Sequence, residues 1–147
     1  MAGTHALGGA VTAQQVTWGH TAAQAEAITT VIATIYVPNK ATILDVILEV
    51  TVISDDGATA TLAVGDSSGP ETADPDRFIA TFSAQATGSI RASDSAGLLE
   101  GTYTYRGLKG TDDSQVEQAI ELSFDAAAST GTADGAGRLT VIYYSAQ

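Results

Sequence analysis

From Leu44 to Ile53 an apolar set of residues alternates with Asp45, Ile47, Glu49, Thr51 and Ile53. Every second residue here is apolar, and together these residues form one face: Leu44, Val46, Leu48, Val50 and Val52. Successive side chains of a β-strand point to opposite sides of a sheet, so this period of two predicts a strand with one buried face. A second alternating stretch follows, and its apolar face consists of Ala60, Leu62 and Val64.

The two alternating stretches predict a β-hairpin within the segment from Pro38 to Asp66. Because the apolar faces must match across the turn, the loop between the strands needs an odd number of residues. A three-residue loop at 55–57 places Val50 opposite Leu62, with Gly57 in the left-handed position after a type I turn. A five-residue loop keeps the same parity, so the faces do not depend on the type of turn.

Further β-like runs occur on both sides of this hairpin, separated by turns rich in Gly, Asp and Ser. The first extends from about Ile28 to Pro38, and the last two have apolar faces made of Ile120, Leu122 and Phe124 and of Leu139, Val141 and Tyr143. With no amphipathic helix of three turns between them, these roughly eight strands predict an all-β fold, an antiparallel β-sandwich or jelly roll.

The first 20 residues are rich in Gly, Ala and Thr and show no sustained period. Such a segment predicts an extended N-terminal arm outside the core. The predicted domain organisation is therefore an arm over residues 1–20 and a β-sandwich domain over residues 21–147.

Composition narrows the classes of partner. Lys and Arg total 6 and Asp and Glu total 17, which gives a net charge of −11. Binding to phosphates relies on Lys and Arg, so neither nucleic acid nor an anionic membrane is expected as a partner. The absence of cysteine excludes disulfides and thiolate metal sites. No segment reaches the ~20 consecutive apolar residues that span a bilayer.

Residues suited to catalysis are scarce. The two histidines, His5 and His20, both lie in the predicted arm, where a Ser-His-Asp site would have no rigid pocket. They are therefore expected to face solvent or an interface. The glycines near Gly65 are not followed by the Lys of a phosphate-binding loop. We expect no catalytic residues and no cofactor.

Acidic residues crowd the loop that follows the predicted hairpin. Carboxylate oxygens are Ca²⁺ ligands, and this loop holds Asp66, Glu71, Asp74 and Asp76. Their spacing departs from the EF-hand pattern, and aspartates also form turns and cap strands. The main expectation is no metal; the alternative is a Ca²⁺ site at Asp66, Asp74 and Asp76.

Aromatic residues offer two further interpretations. Tyr103 and Tyr105 share one face of a predicted strand, where they either pack across strands or stack on a sugar. A glycosidase would need a pair of carboxylates, and the sequence brings no particular pair together. Trp18 stands alone in the arm and either closes the end of the sandwich or anchors into a neighbouring subunit.

One pattern resembles a known group of proteins. A strand ending in Tyr36-Val37-Pro38 is followed by Ile43, Asp45 and Val46, then by Leu62, Val64, Gly65 and Asp66, and finally by Asp74-Pro75-Asp76-Arg77-Phe78. This order is similar to that of the head decoration (cement) proteins and related small structural proteins of tailed bacteriophages. The resemblance covers roughly residues 28 to 82 and does not extend beyond about residue 84.

The resemblance implies a non-enzymatic virion protein that decorates and stabilises the capsid. Its partners would be the major capsid protein and copies of itself, as a homotrimer, on the outer capsid surface after assembly in the host cytoplasm. Residues of the arm are expected to form the partner interface, namely His5, Val11, Val16 and Trp18. The alternatives are a tail or head-fibre-base component and a carbohydrate-binding β-sandwich module.

Overall fold

The computed structural model describes residues 9–21, 30–38, 41–54, 60–66, 74–94, 103–104, 117–126 and 135–146. These residues form an all-β fold, as predicted. The strands are β1 (Gly9–Gly19), β2 (Val31–Pro38), β3 (Thr42–Val52), β4 (Thr61–Asp66), β5 (Asp74–Ser83), β6 (Gly88–Arg91), β7 (Tyr103–Thr104), β8 (Glu117–Ala126) and β9 (Ala136–Ala146). A single 3₁₀ turn in this part of the chain, Ala92–Asp94, follows β6. In the same residues no helix is long and apolar enough to cross a membrane.

The strands form two antiparallel sheets. The first has the order β1-β9-β3-β6, with the short strand β7 also paired to β3. The second has the order β2-β8-β4-β5. Four of the antiparallel pairs are nested along the chain, because β4 pairs with β5, β3 with β6, β2 with β8 and β1 with β9. The chain therefore folds as one long ribbon that doubles back between β4 and β5.

Side chains from both sheets meet in a single hydrophobic core. Alternate residues of β2, β8 and β9 contribute to it, as their alternation predicts. The apolar faces predicted for the last two long strands are confirmed, since all six residues are buried: Ile120, Leu122, Phe124, Leu139, Val141 and Tyr143. The two sheets thus share one core, as in a β-sandwich.

The buried face of β3 differs at both ends from the strict alternation. Val46, Leu48 and Val50 are buried as predicted, whereas Val52 is 50% exposed. The register against β9 shifts between Ile43 and Asp45 and again between Val50 and Val52. Each bulge adds one residue to β3 and reverses which side chains face inward. Ile43 consequently replaces Leu44 in the core, and Val52 turns outward.

The predicted hairpin between β3 and β4 is wrong. β3 pairs with β9, β6 and β7 in the first sheet, whereas β4 pairs with β8 and β5 in the second. The predicted apolar face of β4 is nevertheless buried, since Ala60, Leu62 and Val64 are fully inaccessible. Matching the apolar faces determines only which side of each strand faces the core. Two strands in opposite sheets satisfy this condition as well as two neighbouring strands of one sheet do.

The segment predicted as an arm contains a strand of the first sheet. Gly9–Gly19 pairs with β9 along its whole length, from Gly9 opposite Ala146 to Gly19 opposite Ala136. Trp18 is 4% exposed and belongs to the core. For these residues the expectation of a position outside the core is therefore wrong. The strand escaped prediction because neither of its faces is consistently apolar. The inner face includes the polar residue Gln14, and the outer face mixes Val11 and Ala13 with Gln15.

Candidate functional site

The end of β4 and the start of β5 are joined by a buried ion pair. Nε of Arg77 donates a hydrogen bond to Oδ2 of Asp66 at 2.8 Å, and the backbone N–H of Asp74 donates to Oδ1 at 3.1 Å. Asp66 is 1% exposed. Its burial raises the pKa of this carboxyl above the ordinary value, although the hydrogen bond and charge of Arg77 oppose that shift. Both oxygens of Asp66 thus serve to hold β5.

Gly65 allows the two strands to approach closely at this point. A Cβ atom at Gly65 would overlap with the carbonyl oxygen of Asp74 and the carbonyl carbon of Pro75. Both are backbone atoms, which cannot move aside without separating the strands. Gly65, Asp66 and Arg77 all belong to the sequence pattern described above, and in the fold they act together on the β4–β5 contact.

The three aspartates considered for Ca²⁺ are not gathered into a cluster. Asp66 and Asp74 are paired in register across β4 and β5, but Asp66 directs its carboxylate to Arg77. Asp76 is exposed on β5, and Glu71 lies outside the described residues. Across the part of the chain that the structure describes, no group of three or more potential metal ligands is found.

A second acidic residue of the pattern, Asp45, ties β3 to the turn after β6. Its Oδ2 accepts a hydrogen bond from a terminal nitrogen of Arg91 at 3.0 Å and another from Oγ of Ser93 at 3.2 Å. Its Oδ1 accepts from the backbone N–H of Val46 at 2.9 Å and from that of Ser93 at 3.3 Å. Asp45 lies next to the first bulge of β3, so these bonds fix the strand where its register shifts.

His20 is buried at the end of β1, which corrects the expectation that it faces solvent or an interface. Its ring stacks on Trp18 with centroids 6.4 Å apart and lies perpendicular to the ring of Phe124 with centroids 4.8 Å apart. Nε2 accepts a hydrogen bond from the backbone N–H of Gly135 at 3.1 Å, and the other ring nitrogen lies 3.1 Å from the carbonyl oxygen of Thr21. The imidazole therefore fastens the end of β1 to the start of β9.

The predicted interface residues have different positions in the fold. Val11 is 65% exposed on the outer face of β1, where it pairs with Tyr144 of β9. Val16 packs against the core, and Trp18 lies within it, so Trp18 closes the fold in this chain. His5 lies outside the described residues. Val11 is thus the one described member of the predicted set that is available to a partner.

Two neighbouring edge strands of the described fold, β1 and β2, carry no charged side chains. β1 and β2 are edge strands of the two sheets, lie next to each other, and contain no Asp, Glu, Lys or Arg. Exposed apolar residues on this β1–β2 side are Val11, Val31 and Tyr36. The opposite edges, β5 and β6, include Asp74, Asp76, Arg77 and Arg91. In a chain with a net charge of −11, the β1–β2 side is the candidate assembly surface.

Solved structures with the same fold come from bacteriophage capsids. A chain of the cyanophage Pam1 capsid asymmetric unit matches with a TM-score of 0.56 and 24% identity, over 98% of this chain and 91% of that one. A chain of the Ralstonia phage GP4 capsid matches with a TM-score of 0.59 and 22% identity, over 97% and 89%. A chain of the acidic stable capsid of Helicobacter pylori bacteriophage KHP30 matches with a TM-score of 0.54 and 13% identity, over 95% and 94%.

These similarities establish the fold over nearly the full length of both partners in each comparison. No family model and no curated protein matches this chain.

The structure does not test whether the two tyrosines stack on a sugar, because Tyr105 and the side chain of Tyr103 lie outside the described residues. A carbohydrate-binding role therefore stays a prediction from the sequence.

Proposed function

We propose that this protein is a non-enzymatic structural component of a tailed-phage virion, which decorates the outer surface of the capsid and stabilises the shell. The observation that carries the proposal is the similarity of fold to chains of three phage capsid structures, over 95% or more of this chain. The sequence resemblance to head decoration proteins supports the same role and narrows it to decoration. Tail and head-fibre-base positions are the alternatives.

The contacts of the residues that carry the resemblance also support a structural role. Asp45, Asp66 and Arg77 hold neighbouring segments together through ion pairs and backbone hydrogen bonds. Gly65 permits the close approach of β4 and β5. Residues that hold the segments of the fold together suit a structural protein, because such a protein must keep its shape under mechanical load.

We further propose that the fold belongs to the jelly-roll class. The four nested strand pairs and the distribution of their members over two sheets support this assignment. Jelly rolls consist of eight strands in two sheets and are common in viral capsid proteins. In this interpretation β7 is an addition to the eight strands of the roll.

The partners in this role are the major capsid protein and further copies of the chain, with a homotrimer as the assembly that the resemblance implies. The charge-free β1–β2 side, with Val11 and Tyr36 exposed on it, is the surface best suited to protein contacts. Of the predicted N-terminal arm, residues 1–8, which precede β1, would add contacts from the same end of the chain. The resulting location is the virion surface, after assembly in the host cytoplasm.

Mass spectrometry and cryo-electron microscopy of purified particles of the phage that encodes the chain test this proposal. We expect many copies per particle, placed on the outer face of the head. Particles assembled without the chain should release their DNA at a lower temperature, and purified protein added back should restore the wild-type temperature. Absence from purified particles, or density confined to the tail or a fibre base, would contradict the decoration role.

A further inference from the structure

The four sheet edges differ in how well they are protected against pairing with another chain. Natural edge strands are usually blocked by charged side chains, Pro, bulges or shortness. β5 contains Pro75 and Arg77 and has two shifts of register against β4, and β6 is only 4 residues long. β2 has a shift of register near Val31 and ends in Pro38.

β1 has none of these protections. It is 11 residues long, contains no Pro and no charged residue, and pairs with β9 without any shift of register. No described strand pairs with its other side. Along such a strand, alternate backbone N–H and C=O groups point away from the sheet and offer hydrogen bonds to an incoming strand. β1 is thus a straight, open edge.

We infer that the β1 edge pairs antiparallel with the β1 edge of a second copy, across a two-fold axis at Gln14. Charge favours a second copy at this edge, because a chain of net charge −11 repels itself elsewhere and its first 25 residues contain no Asp, Glu, Lys or Arg. The sequence of β1 is also self-complementary in this register. Its midpoint is Gln14, so full overlap of the two strands places each residue opposite one on the same face of the sheet.

The opposed side chains fit one another in this arrangement. On the outer face, Val11 of each copy lies opposite Thr17 of the other, and Ala13 lies opposite Gln15. On the inner face Thr12 lies opposite Val16. Val and Thr are β-branched residues, which are enriched in strands because they pack well on the pleated surface of a sheet. β2, the neighbouring edge strand of the second sheet, also lacks charged side chains. It therefore adds no charge repulsion as the two copies approach.

This contact deepens the self-association that the proposed function includes, and it rests on that part of the proposal. It differs from the contact within a homotrimer, since a two-fold axis joins equal surfaces in pairs. It can therefore join two single chains or two trimers. The experiment uses the purified chain alone, so its failure would leave the test on phage particles unaffected.

Charges introduced at two exposed outer positions of β1 test the inferred register. Position 13 of one copy faces position 15 of the other, so Ala13→Glu/Gln15→Glu and Ala13→Lys/Gln15→Lys each place like charges directly opposite. Ala13→Glu/Gln15→Lys places opposite charges there instead. The two like-charge variants change the net charge in opposite directions, which separates the local effect from overall repulsion. All three lose the exposed hydrogen bond from Gln15 to Thr140 equally.

Sedimentation equilibrium should show that the molar mass of the wild type doubles with concentration. We expect both like-charge variants to raise the Kd of this step about tenfold, as two repulsive pairs per contact imply. The opposite-charge variant should stay within about threefold of the wild type. A wild type that does not associate, or equal effects in the like-charge and opposite-charge variants, would overturn the proposal.

Disulfide trapping gives a second measurement that does not depend on charge. The chain has no cysteine, so Gln14→Cys introduces a single thiol. At the two-fold axis the two Cα atoms would lie about 5 Å apart, within the range of a disulfide. Thr17→Cys is the matched control, because its two copies would lie about 20 Å apart. Rapid oxidation to a covalent dimer at position 14 but not at 17 is expected; equal rates would overturn the register.

Discussion

Arg77 on β5 donates a hydrogen bond to the buried carboxylate of Asp66 at the end of β4, with a distance of 2.8 Å between Nε and Oδ2. Arg77 is 19% exposed and Asp66 1%. The pair joins the two central strands of the nested ribbon near the point where the chain doubles back. It also explains why the sequence pattern contains both an acidic residue after Gly65 and an arginine in the following segment.

Removing Arg77 should destabilise the fold considerably. Arg77→Met leaves the carboxylate of Asp66 buried beside an apolar side chain, and breaking a buried ion pair in this way is costly. We expect the free energy of unfolding to fall by about 3 kcal/mol, the lower end of the usual range because Arg77 is 19% exposed, as measured by urea denaturation. The matched control is Arg138→Met, which removes the exposed pair with Glu49 and should change stability little. Equal losses in both variants would contradict the importance of burial.

Asp66 should also make stability depend on pH in an unusual direction. Because burial raises its pKa, the folded chain binds a proton at Asp66 more tightly than the unfolded chain does. The stabilisation from this proton is fully present below the unfolded pKa and is lost as the pH rises through the folded pKa. The stability of the wild type relative to Asp66→Asn should therefore increase as the pH falls from neutral toward about 4. Urea titrations across this range would refute the prediction if the difference decreased.

Gly65 should tolerate no side chain. Gly65→Ala places a methyl group where it overlaps with the carbonyl oxygen of Asp74 in β5, so the strands must separate and weaken the hydrogen bonds to Asp66. We expect a loss of more than about 2 kcal/mol in thermal and urea denaturation. Gly19→Ala is the control, since the nearest atom to its Cβ, the carbonyl oxygen of Gly135, lies at an ordinary contact distance of 3.7 Å. A wild-type melting temperature for Gly65→Ala would show that the strands can adjust.

Val50 and Val52 test the bulge near the end of β3. Strict alternation places both on the buried face, whereas in the fold Val50 is buried and Val52 is 50% exposed. Val50→Asp should therefore cost more than about 3 kcal/mol, because it buries an unpaired charge. Val52→Asp should leave the melting temperature close to that of the wild type. Loss of cooperative unfolding in both variants would indicate that Val52 is buried as well, as uninterrupted alternation predicts, and would contradict the bulge.

The sequence predicted which side of most strands is buried because side-chain direction alternates locally and needs no knowledge of the partner strand. The buried faces of β4, β8 and β9 follow directly from Leu62, Leu122 and Val141 and their neighbours. β1 was not predicted, because an edge strand buries little and its pattern of small and polar residues is weak.

The tertiary structure alone decided which strands are neighbours. Two apolar faces match equally well when their strands are neighbours in one sheet and when the strands face each other across a core. The odd loop length therefore could not show that β3 and β4 belong to different sheets. The bulges at Leu44 and Thr51 also depend on β9, which is distant in sequence. The candidate site also depends on the tertiary structure. The sequence pattern gives the order of Asp45, Asp66 and Arg77 along the chain. Only the folded chain brings Arg91 to Asp45 and leaves β1 as an open edge. Pairing and burial of charge are long-range properties, whereas the face of a strand is a local one.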